Sequence, residues 1–540
     1  MYSRRAMSRR VIVALASVLL ISAGLGAAAI AAKPGPALLP GKPGGVLNVL
    51  TREDLAQGFS IHESATLSTI WPAQPCFNNL VTFDPVKPLE TFDTVVPELA
   101  EKWSWQDGYR NLVFFLRRGV KWHDGQPFTS KDVKFTFDMV REAPDATGKL
   151  RVNPRKDWYG SIEAIEAPDP HTVVFHLRRP QPSLLLMLAS GDSPIYPAHV
   201  PPAEQRTRCV GTGPFKLKEW KRGEYVDYVR NPDYFVKGRP YLDGIRYLIV
   251  TERGTRTAAL QAGRADAASP LDSSPHIAAQ LRAAVPGMVI TRVGAGNADN
   301  LLLNITKPPF NDSRVRRALS RAVDRQAFIK AVLQGSGIPG GALAPRPVGF
   351  WGLVLPDLGA AGDKTQARQL LASAGYTASN PLRVEIVTRN LAIYRDMAAF
   401  VLNELKQVGV ESTLRSIETV EWYGIASRKE FQIGANISGY GVDDPDSNFF
   451  EHYICRSTRN YTGYCDEETE KLIEQQSQEL DLKKRLALVQ RIQKKLEDDA
   501  ARPMLAWRYD DYAHWPHVKN LIPRHTIYSY GRMQEVWLDR

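Results

Sequence analysis

A mixed α/β fold is predicted from three features of the sequence. β-rich and helical segments are interspersed along the chain instead of being segregated into blocks. A strand-like run at 382–388 leads directly into a helical pattern at 393–409, a βα step. No segment repeats with a period of about 20–50 residues, which excludes a solenoid. The chain has 540 residues, 44% of them hydrophobic and 24% charged. That is an ordinary globular composition, long enough for two or three lobes.

The N-terminus reads as a secretory signal. Arg4, Arg5, Arg9 and Arg10 precede an apolar run from 11 to 26, and Ala29-Ile30-Ala31 fits a small-residue cleavage site. The run is shorter than the roughly 20 residues that span a bilayer. No cysteine stands at the cleavage region, so export to the periplasm without a lipid anchor is expected. Ser8-Arg9-Arg10 leaves general secretion and twin-arginine export both open. Residues 1–31 are assigned to the signal and 32–43, rich in Pro and Gly, to a linker.

The elements follow in order. Strands are expected at 45–50, 111–117, 172–177, 225–230 and 245–251. Helical spacing marks 255–263, 312–333, 364–375 and 393–409. Near the end Leu482, Leu486, Val489, Ile492 and Leu496 recur at four and three, one apolar helix face that serves core packing.

Charge excludes one class of partner. Removing residues 1–31 takes away four arginines and no acids, so the formal charge falls from +11 to +7. Nucleic-acid binding needs a concentrated basic stripe, whereas Lys and Arg are dispersed among acids here. Of the four cysteines, Cys455 and Cys465 flank a short polar loop and are expected to pair. Cys76 with Cys209 is the remaining even pairing, with buried free thiols as the alternative. A zinc site needs closer-spaced ligand pairs.

Catalytic motifs are missing. The sequence holds no G-x-S-x-G, no H-E-x-x-H, no S-x-x-K set with K-T-G and no phosphate-cradling G-x-x-x-x-G-K-[ST]. His123-Asp124 reads as a structural hydrogen-bonding pair. The run Asp443, Asp444, Asp446 lacks the opposed faces that glycoside hydrolysis needs. No enzyme activity and no cofactor are expected.

The segment PELAEKWSWQDGYRNLVFFLRRGVKWHDGQPFTSKDVKFTFD, residues 97–138, resembles the hallmark of the family 5 bacterial extracellular solute-binding proteins. Five further blocks agree in order: CFNNLVTFDP, GTGPFKLKEW, RTAALQAGRADA, FNDSRVRRALSRAVDR and DPDSNFF. The resemblance implies a two-lobed periplasmic binding protein of type II, cluster C, with an extra domain inserted in the first lobe. Mapped by the blocks, lobe I is 44–85, 211–300 and 505–540, the extra domain 86–210 and lobe II 301–504. It implies lobe closure on a peptide-like or carboxylate-bearing solute, delivery to the permease subunits of an ABC importer, and a monomer. An exported hydrolase and a receptor serving a sensor are the alternatives.

The resemblance also places site residues. In peptide-binding members an aspartate three positions before the D-P pair holds the ligand ammonium; here that position is Gly441, and the aromatic expected earlier is Ser438, with Tyr440 nearby. Asp443 substitutes if the loop register has shifted. Arg389, in VTRN, lies where dipeptide-binding members grip the ligand carboxylate. Trp71, Trp422 and Tyr440 are the candidate aromatic walls. Nickel and haem, known in the family, lack a His/Cys/Met cluster here.

Overall fold

A computed structural model describes residues 38–269, 274–353, 362–526 and 531–540. The signal assigned to 1–31 lies outside these, as does the linker as far as residue 37.

One eleven-stranded sheet runs through the molecule. From one edge it passes through Glu411–Ile417, Arg383–Arg389, Ile433–Gly439, Val289–Leu303 and Met504–His514. It continues through Ala267–Ala268, Val46–Thr51, Gly244–Ile249, Tyr225–Arg230 and Phe215–Lys221, with Gly337–Ile338 paired to Met504–His514. Val46–Thr51 is parallel to Gly244–Ile249, and Arg383–Arg389 is parallel to Glu411–Ile417. The rest of the ladder is mixed, as interspersed strands and helices require.

Val289–Leu303 and Met504–His514 are the two long strands at the middle of this sheet, and they connect separate cores. Near one end, Leu50, Leu260, Leu281 and Ala513 pack together. Near the other, Leu301, Leu303, Ile386, Met397, Val401 and Leu505 do so. Between them the pairing slips: Gly294 faces Tyr509 but Ala298 faces Trp507, so residues 295–297 stand opposite Arg508 alone. Such extra residues loosen the ladder and let the strands bend. The largest core joins Leu47, Phe114, Phe449 and Val489.

A separate four-stranded antiparallel sheet orders Ala100–Gln106, Asn111–Leu116, Thr172–Leu177 and Ile162–Asp169. In TVVFHL, Val173, Phe175 and Leu177 are buried while the residues between are half-buried, the alternation a one-sided strand requires. Helix Ser130–Val140 lies on the Ile162–Asp169 and Thr172–Leu177 strands. Its start is fixed by Thr129 and Asp132, which cap each other's backbone.

Helix Leu482–Asp498 buries Val489, Ile492 and Leu496, while Leu482, the first member of the stripe, is 40% exposed. The single pattern at 312–333 resolves into two helices, Ser313–Ala322 and Arg325–Ala331. Asp324 breaks it: its side chain accepts the Ala327 amide and starts the second helix as an N-cap.

Both expected cysteine pairs are disulfides, Cys76–Cys209 and Cys455–Cys465, with Cα separations of 6.1 and 4.5 Å. The Gly211-Thr212-Gly213 turn lies flat against the Cys76 backbone, and Gly213 donates its amide to the Cys76 carbonyl at 2.8 Å. A Cβ at Gly211 or Gly213 would overlap that carbonyl group, which is why both positions are glycine. His123 accepts the Gly211 amide and bonds the Gly213 carbonyl, and Asp124 pairs with His199 at 2.7 Å. The His123-Asp124 pair is thus part of the scaffold. Among the described residues, no helix is long and apolar enough to cross a membrane.

Candidate ligand-binding cleft

In open α/β sheets ligands bind beyond the carboxyl ends of the strands. Here two such ends face each other. Val46–Thr51 is followed at once by Arg52 and Glu53, and Arg383–Arg389 ends on Arg389 itself. Between them lies a cleft of about 400 Å³. One wall carries Arg52, Glu53 and the start of helix Arg253–Gln261. The other carries Asn390, the start of helix Ala392–Lys406, and Glu418 with Thr419. A second cavity, by Glu98, Arg524 and Arg532, is only about 60 Å³, too small for an organic solute.

Arg389 is not free at the cleft. Its Nη2 donates to both Glu53 carboxylate oxygens, at 2.9 and 2.8 Å, and its Nη1 donates to the Tyr394 hydroxyl at 2.7 Å. Thr419 accepts from the same guanidinium and donates to Glu53, while Ser68 donates to Glu53 at 2.5 Å. Burial alone would raise the Glu53 carboxyl. Arg389 and Arg52 with the two hydroxyls reverse that and hold it down at about 2. Burial likewise opposes the charge on Arg389, and Tyr394 and Glu53 overcome it and push its pKa up. The position expected to grip a ligand carboxylate already grips one from the opposite wall.

The Gly441 position is also filled. A Cβ there would lie 2.5 Å from the Asp192 carboxylate, 2.5 Å from the Trp158 ring and 2.9 Å from the Ser190 hydroxyl. Asp192 occupies the space a side chain at 441 would take, but it is itself paired with Arg155 at 3.1 Å. Arg155 continues to Glu451 at 3.4 Å, and Glu451 is also bound by Arg459. Next to this cluster Arg502 donates to Asn300 at 3.0 Å and to Ser438. With neutral partners in a buried setting, burial lowers its pKa to about 10.

Asp443 is engaged by the chain itself. Its Oδ2 accepts the Phe350 amide at 2.8 Å and its carbonyl accepts the Trp351 indole at 3.1 Å. Burial first, then the neighbouring Asp444 charge, pushes its carboxyl up to about 7. Asp444 starts helix Pro445–His452 and is held by Arg485 at 2.7 and 2.9 Å. Asp446 accepts from Ser183, Gln476 and Ser477.

None of the three expected aromatic walls lines the open cleft. Trp71 is buried and packs edge-on against Tyr247 at 5.3 Å. Trp422 is fully buried with Val387, Ile417 and Phe431, lying over Gly434, where a Cβ would overlap its ring. Tyr440 covers Gly296 in the slipped stretch of the central strand, and its hydroxyl meets His525 at 2.8 Å. Bulk and apolarity suit these side chains to cores as well as to ligand walls, and here all three are packed in cores. The charged residues that the sequence reading did not single out are Arg52 and Glu53 on the cleft wall, and Arg155, Asp192 and Glu451 in the buried cluster beside Gly441. For Arg52 and Glu53 a signal existed, since they directly follow the first strand. For Arg155, Asp192 and Glu451, far apart in sequence, none did.

Comparison with known proteins agrees with this architecture. Residues 94–461 match the family model "Bacterial extracellular solute-binding proteins, family 5 Middle". A probable di/tripeptide-binding protein of Pseudomonas aeruginosa is 28% identical over 84% of this chain and 88% of its own. The fold is shared with the Helicobacter pylori periplasmic binding protein DppA in complex with the peptide STSA. That structure has a TM-score of 0.83 at 23% identity, covering 92% of this chain and 99% of that one. It is shared equally with the A. tumefaciens binding protein AgaA in complex with agropinic acid, with a TM-score of 0.80 at 23% identity and the same coverage. The chain belongs to the family 5 bacterial extracellular solute-binding proteins.

Proposed function

We propose that this protein captures a small carboxylate-bearing or peptide-like organic solute in the periplasm and presents it to the permease subunits of an ABC importer. The observation that carries this reading is the cleft at two facing strand ends, with Arg389 and Glu53 joining its walls. Closure of two walls on a solute is the transition such a site supports. The lobes are taken as 44–85 with 211–300 and 505–540, and 301–504, with the extra domain at 86–210. In this reading the protein acts as a monomeric binder.

Two features favour a solute without a free amine. Position 441 has no room for a carboxylate, and the nearest one, Asp192, is already neutralised by Arg155. A desolvated ammonium without its own carboxylate is strongly disfavoured. Relatives divide on this point: the di/tripeptide-binding protein is named for peptides, whereas AgaA holds agropinic acid.

The test is a thermal-shift screen of the mature protein against di- and tripeptides, N-acylated peptides, opines and simple carboxylates. A ligand at a hundred times its Kd adds about 2.7 kcal/mol, which raises the Tm visibly. Stabilisation by amine-free carboxylates supports the reading. Stabilisation by free-amine peptides alone overturns its ligand class, and no stabilisation by any solute overturns the function.

A further inference from the structure

With Arg389 committed to Glu53, a carboxylate on the solute needs another cation. The strands beside Gly441 show where one stands. Strand Ile433–Gly439 sends Ala435 and Ile437 into an apolar core, so Asn436 and Ser438 occupy its other face. In its neighbour Val289–Leu303, Leu301 and Leu303 enter the same core, and Asn300 stands opposite Asn436. This second face is buried yet polar. Asn300 and Asn436 both donate to the Ser438 hydroxyl, at 3.1 and 3.0 Å. Arg502 joins them, donating to Asn300 at 3.0 Å and to Ser438.

The charges around this patch do not balance. Asp192 is paired with Arg155 at 3.1 Å, and Glu451 with Arg459, while Arg155 also lies 3.4 Å from Glu451. Arg502 is close enough to feel Arg459 and Glu451, but the acceptors it reaches, Asn300 and Ser438, are neutral. Burial first, and then the fields of Arg502 and Arg459, hold His452 well below its ordinary pKa, so it is uncharged at neutral pH. Glu497, which acts on Tyr453 alongside Arg502, has Arg325 as its cation. On helix Pro445–His452 and at its start, Asp446 is taken by Ser183, Gln476 and Ser477, and Asp444 by Arg485. Three guanidiniums, of Arg155, Arg459 and Arg502, thus share the carboxylates of Asp192 and Glu451, each of the five residues at most 6% exposed.

Even with its pKa lowered to about 10, Arg502 stays charged at neutral pH. A desolvated charge without its counter-charge is strongly unfavourable, so the surplus on Arg502 calls for an anion from outside the chain. The patch is not sealed against one, since Ser438 keeps 9% and Arg502 6% of its surface open to water-sized space. The groups around it come from distant segments of the chain, and Arg155 reaches further still, donating to the Ser64 carbonyl at 2.6 Å.

We propose that Arg502, set among Ser438, Asn300 and Asn436, takes a carboxylate of the solute, and that no ammonium of the solute accompanies it there. Asp192 and Glu451, the acids an ammonium would use, are already neutralised by Arg155 and Arg459. This rests on the reading of the protein as a solute-binding protein, and assigns that solute one uncompensated negative charge. The counter-charge that the folded chain lacks is the one the solute brings.

The experiment has a ligand-free arm and a binding arm, both on the mature protein. Melting is measured in chloride-free buffer for the wild type, Ser438→Asp, Arg502→Gln and the double variant. Ser438→Asp supplies the missing carboxylate, so it should raise the Tm of the wild type and lower that of Arg502→Gln. A fall of the same size in both backgrounds overturns the surplus charge, and this comparison stays decisive should Arg502→Gln itself melt early. Calorimetry then measures succinate, N-acetylalanine and N-acetylalanylalanine, each beside its amide, together with alanylalanine, sodium chloride, sodium sulfate and uncharged sugars. At least one organic acid should bind the wild type, its amide at least about ten-fold more weakly, the scale of one charged hydrogen bond. Ser438→Asp and Arg502→Gln should each remove that preference. An acid preference that survives both variants overturns the proposal. So does chloride or sulfate binding as tightly as the organic acids, or alanylalanine binding more tightly than its N-acetyl form. If only uncharged solutes or free-amine peptides bind, the proposal falls and the solute-binding reading stands; if nothing binds, both fall.

Discussion

Arg389 and Glu53 form a two-oxygen ion pair at 2.8 and 2.9 Å although 336 positions separate them in the chain. One ends a strand of the sheet's Arg383–Arg389 side and the other follows the first strand. Removing one partner of such a buried pair costs about 3–5 kcal/mol, because the other is left charged and unpaired. Arg389→Ala and Glu53→Gln should each lower unfolding stability by about 3 kcal/mol. The double variant should lose less than their sum, a coupling read directly from a double-mutant cycle in urea. Additive losses would mean that the pair carries no interaction energy.

The same carboxylate sets an acid limit. The Glu53 pKa is held at about 2, below its ordinary 4.5. Its contribution is therefore present above about pH 4.5 and is lost as pH falls toward 2. Glu53→Gln should flatten that part of the stability profile, measured by chemical denaturation from pH 6 to pH 2.5.

Asp443 has the opposite sign. Burial lifts its carboxyl to about 7, so between about pH 4 and 7 the folded chain holds a proton that the unfolded chain has released. Stability attributable to this group falls as pH rises across that window and levels off above 7. Asp443→Asn keeps an acceptor for the Phe350 amide and removes the charge. It should leave stability nearly unchanged near pH 3.5 and raise it progressively up to pH 8, by about 1.4 kcal/mol per unit of pKa shift. Equal effects at both pH values would place the charge outside the buried environment seen here.

Gly441→Asp should not create an amine pocket. The new side chain would meet Asp192 and Trp158 at 2.5 Å from its Cβ and set two carboxylates together, costing about 2–3 kcal/mol. Adding Asp192→Ala should recover part of that loss. A Gly441→Asp protein that melts like the wild type and gains affinity for free-amine dipeptides would overturn this account of the position.

The two disulfides should differ in weight. Cys455–Cys465 closes a loop of 10 positions and Cys76–Cys209 one of 133. In the chain-entropy picture these contribute about 2.7 and 5 kcal/mol. Paired Cys→Ser replacement should therefore destabilise more at Cys76 and Cys209, as measured by urea denaturation without reductant.

Much of the fold was legible because periodicity and burial coincide. Val173, Phe175 and Leu177 alternate as a one-sided strand must, and Val489, Ile492 and Leu496 keep helical spacing on a buried face. The break at Asp324 was written in the sequence as an N-cap but was masked by apolar residues continuing on both sides. The site was less legible. Arg389 was singled out, but its bond to Glu53 and the Asp192 carboxylate at Gly441 are contacts across hundreds of positions, and local pattern carries no record of them. Trp71, Trp422 and Tyr440 were chosen for size, and size sends a side chain to any enclosed space.

The slipped pairing at residues 295–297 carries a thermodynamic consequence. Backbone slack there allows the two parts of the sheet to change their angle while the strands stay hydrogen-bonded. Such a rotation acts on the apolar seam where Trp158 donates its indole to Ser447 at 3.1 Å and Arg179 lies over Phe450 at 5.5 Å. That seam is already buried in this structure, so a state opened by the rotation exposes it and closing again removes its apolar surface from water. Solute capture coupled to the rotation should then carry a negative heat-capacity change larger than the solute's own surface can supply, and the excess measures the swing of the sheet.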